Sequence, residues 1–231
     1  MKNLAIIPAR SGSKGLKDKN IKLMNGLPLL AYSIKAALNS KLFDEVMVST
    51  DSKEYSVIAK KYGASVPFLR SQQNSADNAN SWDTVKEVLL KYKKEGINFD
   101  TVTLLQPTSP LRKAEDIVKA FNLFNKNIAV SVISVCEVDH SPIWSNILPK
   151  NLSMKDFISR NYLGVRQELP KYYRLNGAIY IVRVNELFED SYLYREGSYA
   201  YKMPKNRSID IDTEEDFLLA EYLMKKEGNR C

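Results

Sequence analysis

The chain has 231 residues, 44% hydrophobic and 26% charged, a size and balance that suit one globular domain spanning 1–231 with a substantial core. Its longest apolar runs, such as AVSVISV at 129–135, fall far short of the ~20 residues a membrane-spanning helix needs, and the short apolar N-terminus runs into a charged loop without a signal-peptide cleavage pattern, so a cytoplasmic protein with no membrane partner is expected. The formal net charge is +7, yet six cations against one acid sit in the first 22 residues, a concentration that favours a local anionic ligand over a nucleic-acid surface.

The first element is LAIIPA (4–9), an apolar run with strand character. It breaks into a loop with Gly12 and Gly15 among the cations Arg10, Lys14, Lys17 and Lys19. The glycines let backbone amides approach a ligand, and Arg10, Lys14 and Lys19 can neutralise phosphate oxygens. Neither GxxxxGK[ST] nor GxGxxG is present, and a solvated turn is the competing reading. A helix is predicted after Gly26, with Pro28 in its first turn and Leu30, Ile34, Ala37 and Leu38 on one side. EVMVST (45–50) is a second strand, and the helix from Ser81 to Gly96 carries Val85, Val88, Leu89 and Tyr92 on one stripe. TVTLLQ (101–106) and AVSVISVCEV (129–138) are further strands. Nearly continuous apolar strands alternating with amphipathic helices predict an α/β fold, a Rossmann-like, mostly parallel sheet flanked by helices.

From about Asp139 to Asn176 the alternation lapses; GAIYIVRV (177–184) resumes it before a tyrosine-rich segment to Tyr201. The stretch from about 139 to 200 is expected to be a small insertion that forms a lid or an oligomer contact. SIDIDT is read as a strand and EEDFLLAEYLMKKE as the closing helix, with Thr213 as N-cap.

Two cysteines, Cys136 and Cys231, form neither a CxxC pair nor a disulfide framework, and His140 is the single histidine. A His-based zinc site is therefore excluded, and chemistry rests mainly on carboxylates, cations and backbone amides. In LLQPTSPLR (104–112) Gln106 ends a strand, where it could fix a sugar hydroxyl or a carboxylate. The alternative is a rigid turn, with Thr108 or Ser109 capping the next helix and Arg112 on the helix surface. In SIDIDT, Asp210 and Asp212 share one face and Ile209 and Ile211 the other. Adjacent carboxylates repel unless a cation bridges them or one is protonated, and a solvent-facing acidic edge is the plainer reading. Arg166 and Arg174 suit a forked contact to a carboxylate or phosphate, and Asn176 and Tyr180 belong either to that pocket or to the core. His140 and Trp144 are read as loop-packing residues.

Taken together, IIPARSGSKGLKDKN, FDEVMVSTDS, VTLLQPTSPLR, RLNGAIYI and SIDIDTEED stand in the order and approximate spacing of the acylneuraminate cytidylyltransferases, the CMP-sialic acid or CMP-nonulosonate synthetases, and the chain resembles that family over essentially its whole length. The resemblance implies a nucleotidyltransferase-type fold and a homodimer, with the insertion of one subunit reaching over the partner's sugar pocket. It implies a reaction in which the anomeric hydroxyl of N-acylneuraminate or a related nonulosonic acid attacks the α-phosphate of CTP, with Mg²⁺ or Mn²⁺ as cofactor and pyrophosphate leaving. By motif match it implies nucleotide contacts from Arg10, Ser13, Lys14, Lys19, Asn20, Arg70 and Ser81. Sugar contacts would come from Gln106, Arg166, Arg174, Asn176 and Tyr180, the metal would be held by Asp210 and Asp212, and Arg10, Lys19 and Asp212 would be catalytic. Lys17 has no matched role and is expected in solvent. Two departures touch the sugar: Trp144 stands where some members have a basic residue, and Leu193 and Tyr194 replace paired phenylalanines. CMP-legionaminate or another CMP-nonulosonate, then CMP-Kdo, remain as alternative products. From another class, a nucleotide- or RNA-binding protein remains.

Overall fold

In the computed structural model, which describes residues 1–12, 15–75, 80–159 and 169–228, the apolar runs become strands of one sheet. In chain order β1 (Asn3–Pro8) leads to a small hairpin of β2 (Leu23–Met24) and β3 (Leu27–Pro28), then α1 (Leu29–Ser40), β4 (Glu45–Ser49), α2 (Lys53–Lys61), the one-turn α3 (Gln72–Ser75) and α4 (Ser81–Lys94). There follow β5 (Thr101–Leu104), α5 (Ala114–Lys126), β6 (Ser131–Glu137), β7 (Tyr173–Arg183), the short α6 (Val184–Glu189), β8 (Ser198–Lys202) and α7 (Glu214–Gly228).

The six-stranded sheet has the order β4-β1-β5-β7-β6-β8. β1 pairs in parallel with β4 and β5, and β6 with β8, while β7 runs antiparallel to both its neighbours. Burial on both faces explains the unbroken apolar runs. In β1, Ala5 and Ile7 join the cluster of Ile34, Tyr55, Phe121 and Phe124 beneath α1, α2 and α5, whereas Leu4 and Ile6 join Val85, Val88, Leu89 and Tyr92 of α4 on the other face. Each such large side chain contributes about 1.5–3 kcal/mol on burial. No helix among the described residues is long and apolar enough to cross a membrane.

Several expectations change. Pro28 precedes α1 in extended conformation because it is spent on the hairpin, pairing with Leu23. Leu38 is 41% exposed, since α1 buries Leu29, Leu30, Ile34 and Ala37 instead. SIDIDT forms no strand: the sheet's edges, β4 and β8, lie elsewhere, so the segment crosses the strand ends, and its backbone bond to the sheet side is Ile211 N donating to Thr108 O at 2.9 Å. The buried Ile211 side chain packs with Leu29, Leu111 and Phe217. The stretch expected as an insertion divides: 173–183 and 198–202 are strands of the central sheet, and the described residues 139–159 hold only a 3-10 turn at Pro142–Trp144. Thr213 caps α7 as expected, its Oγ1 accepting from Asp216 N at 3.2 Å while the Asp216 carboxylate accepts from the Thr213 amide and hydroxyl.

β7 carries a bulge. Its pairing with β6 jumps from Ile133–Tyr180 to Val135–Leu175, and Gly177 lies inside the jump at φ +73°. A Cβ there would collide with Oε1 of Gln106 and lie 3.4 Å from Oδ2 of Asp210. Gly177→Ala is therefore expected to cost about 1–2 kcal/mol through the left-handed backbone alone, read as a lower urea midpoint. An unchanged midpoint would mean that the bulge relaxes without strain.

Candidate active site

The carboxyl ends of β1, β4 and β5 open to the same side, the ligand side of an open α/β sheet. The basic loop begins there. Ser11 donates from its amide and hydroxyl to Asp51 at 2.8 and 2.9 Å, and Asn20, buried, donates to the Arg10 carbonyl at 3.0 Å. Asn20 thus braces the loop through its backbone. Lys19 Nζ donates to Ile211 O at 2.8 Å and pairs with Asp212 Oδ1 at 3.1 Å. A Cβ on Gly15 would stand 2.8 Å from the Asp212 carbonyl, so glycine is what lets loop and acidic segment touch. Ser13, Lys14 and Arg166 lie outside the described residues.

Beside the loop, Arg10 Nη1 reaches Ser75 O at 3.5 Å, and Arg70 donates to the hydroxyl and carbonyl of Ser49 at 3.1 and 2.7 Å. Burial lowers the Arg70 guanidinium to about 10 against the pull of Asp51 and Glu87, and the charge of Arg10 lowers it further. Two like charges in a half-buried cleft are stabilised by an anion between them. Glu87, which sequence reading passed over, anchors this wall: it accepts from the amide and hydroxyl of Ser71 at 3.0 and 2.8 Å, from Asn74 and from Lys91. Burial pushes its carboxyl up, but the bonds from Lys91, Asn74 and Ser71 hold it at about 2. Ser81 opens α4, whose first turn is capped by Asn80 accepting from Trp82 N at 2.9 Å.

On the other flank, Gln106 follows β5 and its carboxamide lies over Gly177. Tyr180 stands edge-on to Trp82 at 5.9 Å between ring centres. Burial pushes its hydroxyl up to about 12, with Tyr194 and Asp210 adding to the effect. Arg174 donates to Ser208 O at 3.1 Å. Asn176, read as a pocket or core residue, is 1% exposed, its Nδ2 donating to Ser208 Oγ at 2.9 Å and its Oδ1 accepting from Ser134 Oγ at 2.6 Å, so its amide is bonded within the bulge. Arg112, read as a possible helix-surface charge, is buried.

Burial raises the Asp210 carboxyl, with Asp212 adding and the Thr108 hydroxyl, Lys19 and Arg174 opposing. Its Oδ1 is buried without a hydrogen-bond partner, while the Asp212 side chain is 75% exposed. An orphaned carboxylate oxygen beside a second, open carboxylate fits a hard divalent cation. No group of three or more His, Cys, Asp or Glu able to hold a metal occurs among the described residues, so phosphate oxygens and water would complete such an ion's shell.

A cationic cleft and a carboxylate pair at the strand ends of an open α/β sheet define a nucleotide-handling enzyme domain. The cytidylyltransferase family profile matches residues 4–229, and the chain belongs to that family. CMP-N,N'-diacetyllegionaminic acid synthase of Legionella pneumophila is 40% identical over 227 residues, 97% of each chain. Pseudaminic acid cytidylyltransferase of Campylobacter jejuni is 35% identical, again over 97% of each. N-acylneuraminate cytidylyltransferase of Escherichia coli is 36% identical over 99% of this chain but only 54% of its own length. Among solved structures, CMP:2-keto-3-deoxy-manno-octonic acid synthetase complexed with CTP superposes with a TM-score of 0.74 at 18% identity, covering 98% of this chain and 100% of its own, and so shares the fold.

The raised Asp210 pKa gives a sign. A buried carboxylate destabilises the folded state wherever it must be ionised, so Asp210→Asn is expected to raise the melting temperature of the ligand-free protein at pH 7. The advantage should fade as pH falls through the Asp210 pKa, where the wild-type carboxyl is already neutral. Melting curves at a series of pH values decide it, and a lower melting temperature for the variant at pH 7 would reverse the assignment.

Proposed function

We propose that the chain is a CMP-nonulosonate synthetase, transferring the cytidylyl group of CTP to the anomeric hydroxyl of a nonulosonic acid with release of pyrophosphate. The observation that carries the reading is the meeting of the basic loop after β1 with Asp212, 193 residues beyond Lys19, at one end of the sheet. Arg10 and Lys19, with Ser13 and Lys14, take the triphosphate; Asn20 braces them, and Arg70 and Ser81 face the nucleoside. Gln106, Arg166, Arg174 and Tyr180 face the sugar acid. Mg²⁺, or Mn²⁺, held by Asp210 and Asp212 would supply charge neutralisation at the phosphates. Asp212, the more open of the two, is assigned nearest the attacking hydroxyl. Consumption of CTP suits a cytoplasmic enzyme.

N,N'-diacetyllegionaminic acid is the first substrate proposed. Supporting it are the relative with 40% identity and matched length, and the aromatic pair Trp82–Tyr180, an apolar wall suited to an acetamido group. The test is pyrophosphate release from CTP and Mg²⁺ with N,N'-diacetyllegionaminate, N-acetylneuraminate, pseudaminate and Kdo in parallel. Turnover of a nine-carbon acid is expected, with Asp212→Asn lowering kcat about 10²–10³-fold in a protein of unchanged circular dichroism. Silence with all three nine-carbon acids would overturn the reading.

A homodimer is also proposed. Ile147 is 90% exposed, and Leu148, Leu152 and Met154 are exposed beside it, an apolar cluster that suits burial against a second subunit. Light scattering is expected to give twice the chain mass; the monomer mass at micromolar concentration would refute it.

A further inference from the structure

Arg112 is 3% exposed; its Nη1 and Nη2 are held by neutral acceptors, while its Nε is buried without a partner. Nη1 donates to two carbonyls, Gln106 O at 3.2 Å and Ala178 O at 2.7 Å, while Nη2 donates to the hydroxyl of Ser33 on α1. The Ser33 hydroxyl in turn donates to Gln106 O at 3.2 Å. Asp116, the acid whose charge it senses, is taken by Arg207 at 3.1 and 2.7 Å. Burial lowers the guanidinium to about 9. Burying a charge in this way is costly, and an apolar side chain of similar volume would pack the space without that cost. What an apolar side chain could not do is hold the two carbonyls and the hydroxyl at once.

Those acceptors have a common neighbour. The Gln106 carbonyl is held by two side chains, Arg112 and Ser33, besides the Ser109 amide of its own turn, and Ala178 directly follows Gly177, whose missing side chain makes room for the Gln106 carboxamide. Gly177 also lies against Asp210. Both sides of the Gln106–Gly177 contact therefore hang on one buried nitrogen, Nη1. We propose that Arg112 is a positioning residue for sugar-acid recognition, acting through Gln106 by locking its backbone to the β7 bulge. The proposal rests on the reading of Gln106 as a contact of the acid.

A purely structural arginine would lower stability and leave substrate preference alone; a positioning arginine separates the two substrates. The experiment measures steady-state kinetics with CTP and the best-used acid of the panel above, together with CTP binding by calorimetry in Mg²⁺, for Gln106→Ala, Arg112→Lys and the double variant. Expected is a roughly tenfold rise in the acid KM for each single variant, CTP affinity within about twofold of wild type, and no further loss in the double variant than in Gln106→Ala alone. An acid KM unchanged in Arg112→Lys while Gln106→Ala raises it overturns the proposal. So do losses that add, or an equal loss of CTP affinity. An acid KM unchanged in Gln106→Ala overturns the reading of Gln106 and the proposal with it, and leaves the nucleotide half standing. If Arg112→Lys fails to fold, Ser33→Ala removes the other side-chain donor to Gln106 O; a two- to threefold rise in the acid KM alone is expected, and a wild-type value overturns the proposal.

Discussion

Ile211 sits between two bonds on which the site depends: its amide donates to Thr108 and its carbonyl accepts from Lys19. The acidic segment has no strand to hold it, so its register comes from these bonds and from the anchored Ile211 side chain. Everything polar at the mouth of the sheet is referred to that point. Lys19 brings the basic loop, Thr108 brings the turn that carries Gln106, and the flanking residues Asp210 and Asp212 take their places by alternation along the extended backbone. A segment held by so few bonds is rigid only because its apolar residue is packed.

The strands that read as continuous apolar runs became strands within four residues of the expected ends, since burial on both faces leaves a strong local signal. The strand order, and the reversal of β7, could not be read, because pairing partners leave little trace in either strand alone. The acidic segment misled for a related reason: alternation of Ile and Asp is the signature of a half-buried strand, and the same alternation serves a segment lying across strand ends. Arg112 reads as a surface charge and Asn176 stays open between pocket and core, because nothing local marks a polar side chain as buried. Glu87 left no signal in a helix rich in charge. The basic loop was legible because its cations are crowded, whereas its dependence on Gly15 became visible only through the Asp212 carbonyl 197 residues away in the chain.

Electrostatically the site is divided. The charge of Arg10 adds to burial in lowering the Arg70 guanidinium, and Asp210 is held with an unpartnered oxygen. Each half is frustrated alone, and each is relieved by an ion of the opposite sign. An anionic nucleotide and a divalent cation satisfy the two frustrations together, so stability given up in the empty protein becomes affinity in the loaded one. The supports around them are spent differently: Glu87, Asn20 and Asn176 are well bonded, and Arg112 holds two carbonyls and a hydroxyl, so together they fix the backbone that carries the site.

The reversal of β7 has an evolutionary consequence. Because β6 ends and β7 begins on the site side of the sheet, the connection between them, residues 138–172, departs from and returns to the mouth of the cleft. Such an excursion can be lengthened, shortened or replaced without altering strand order, and its closure entropy changes only slowly with length. The parts proposed to handle the nucleotide reside in the loop after β1, in the segment between α2 and α3, and at the start of α4, outside that stretch. Of the residues proposed to face the acid, Arg166 belongs to that stretch, whereas Gln106, Arg174 and Tyr180 stand on or beside the sheet, so rewriting it would adjust the acceptor site while leaving the donor site and those three contacts in place.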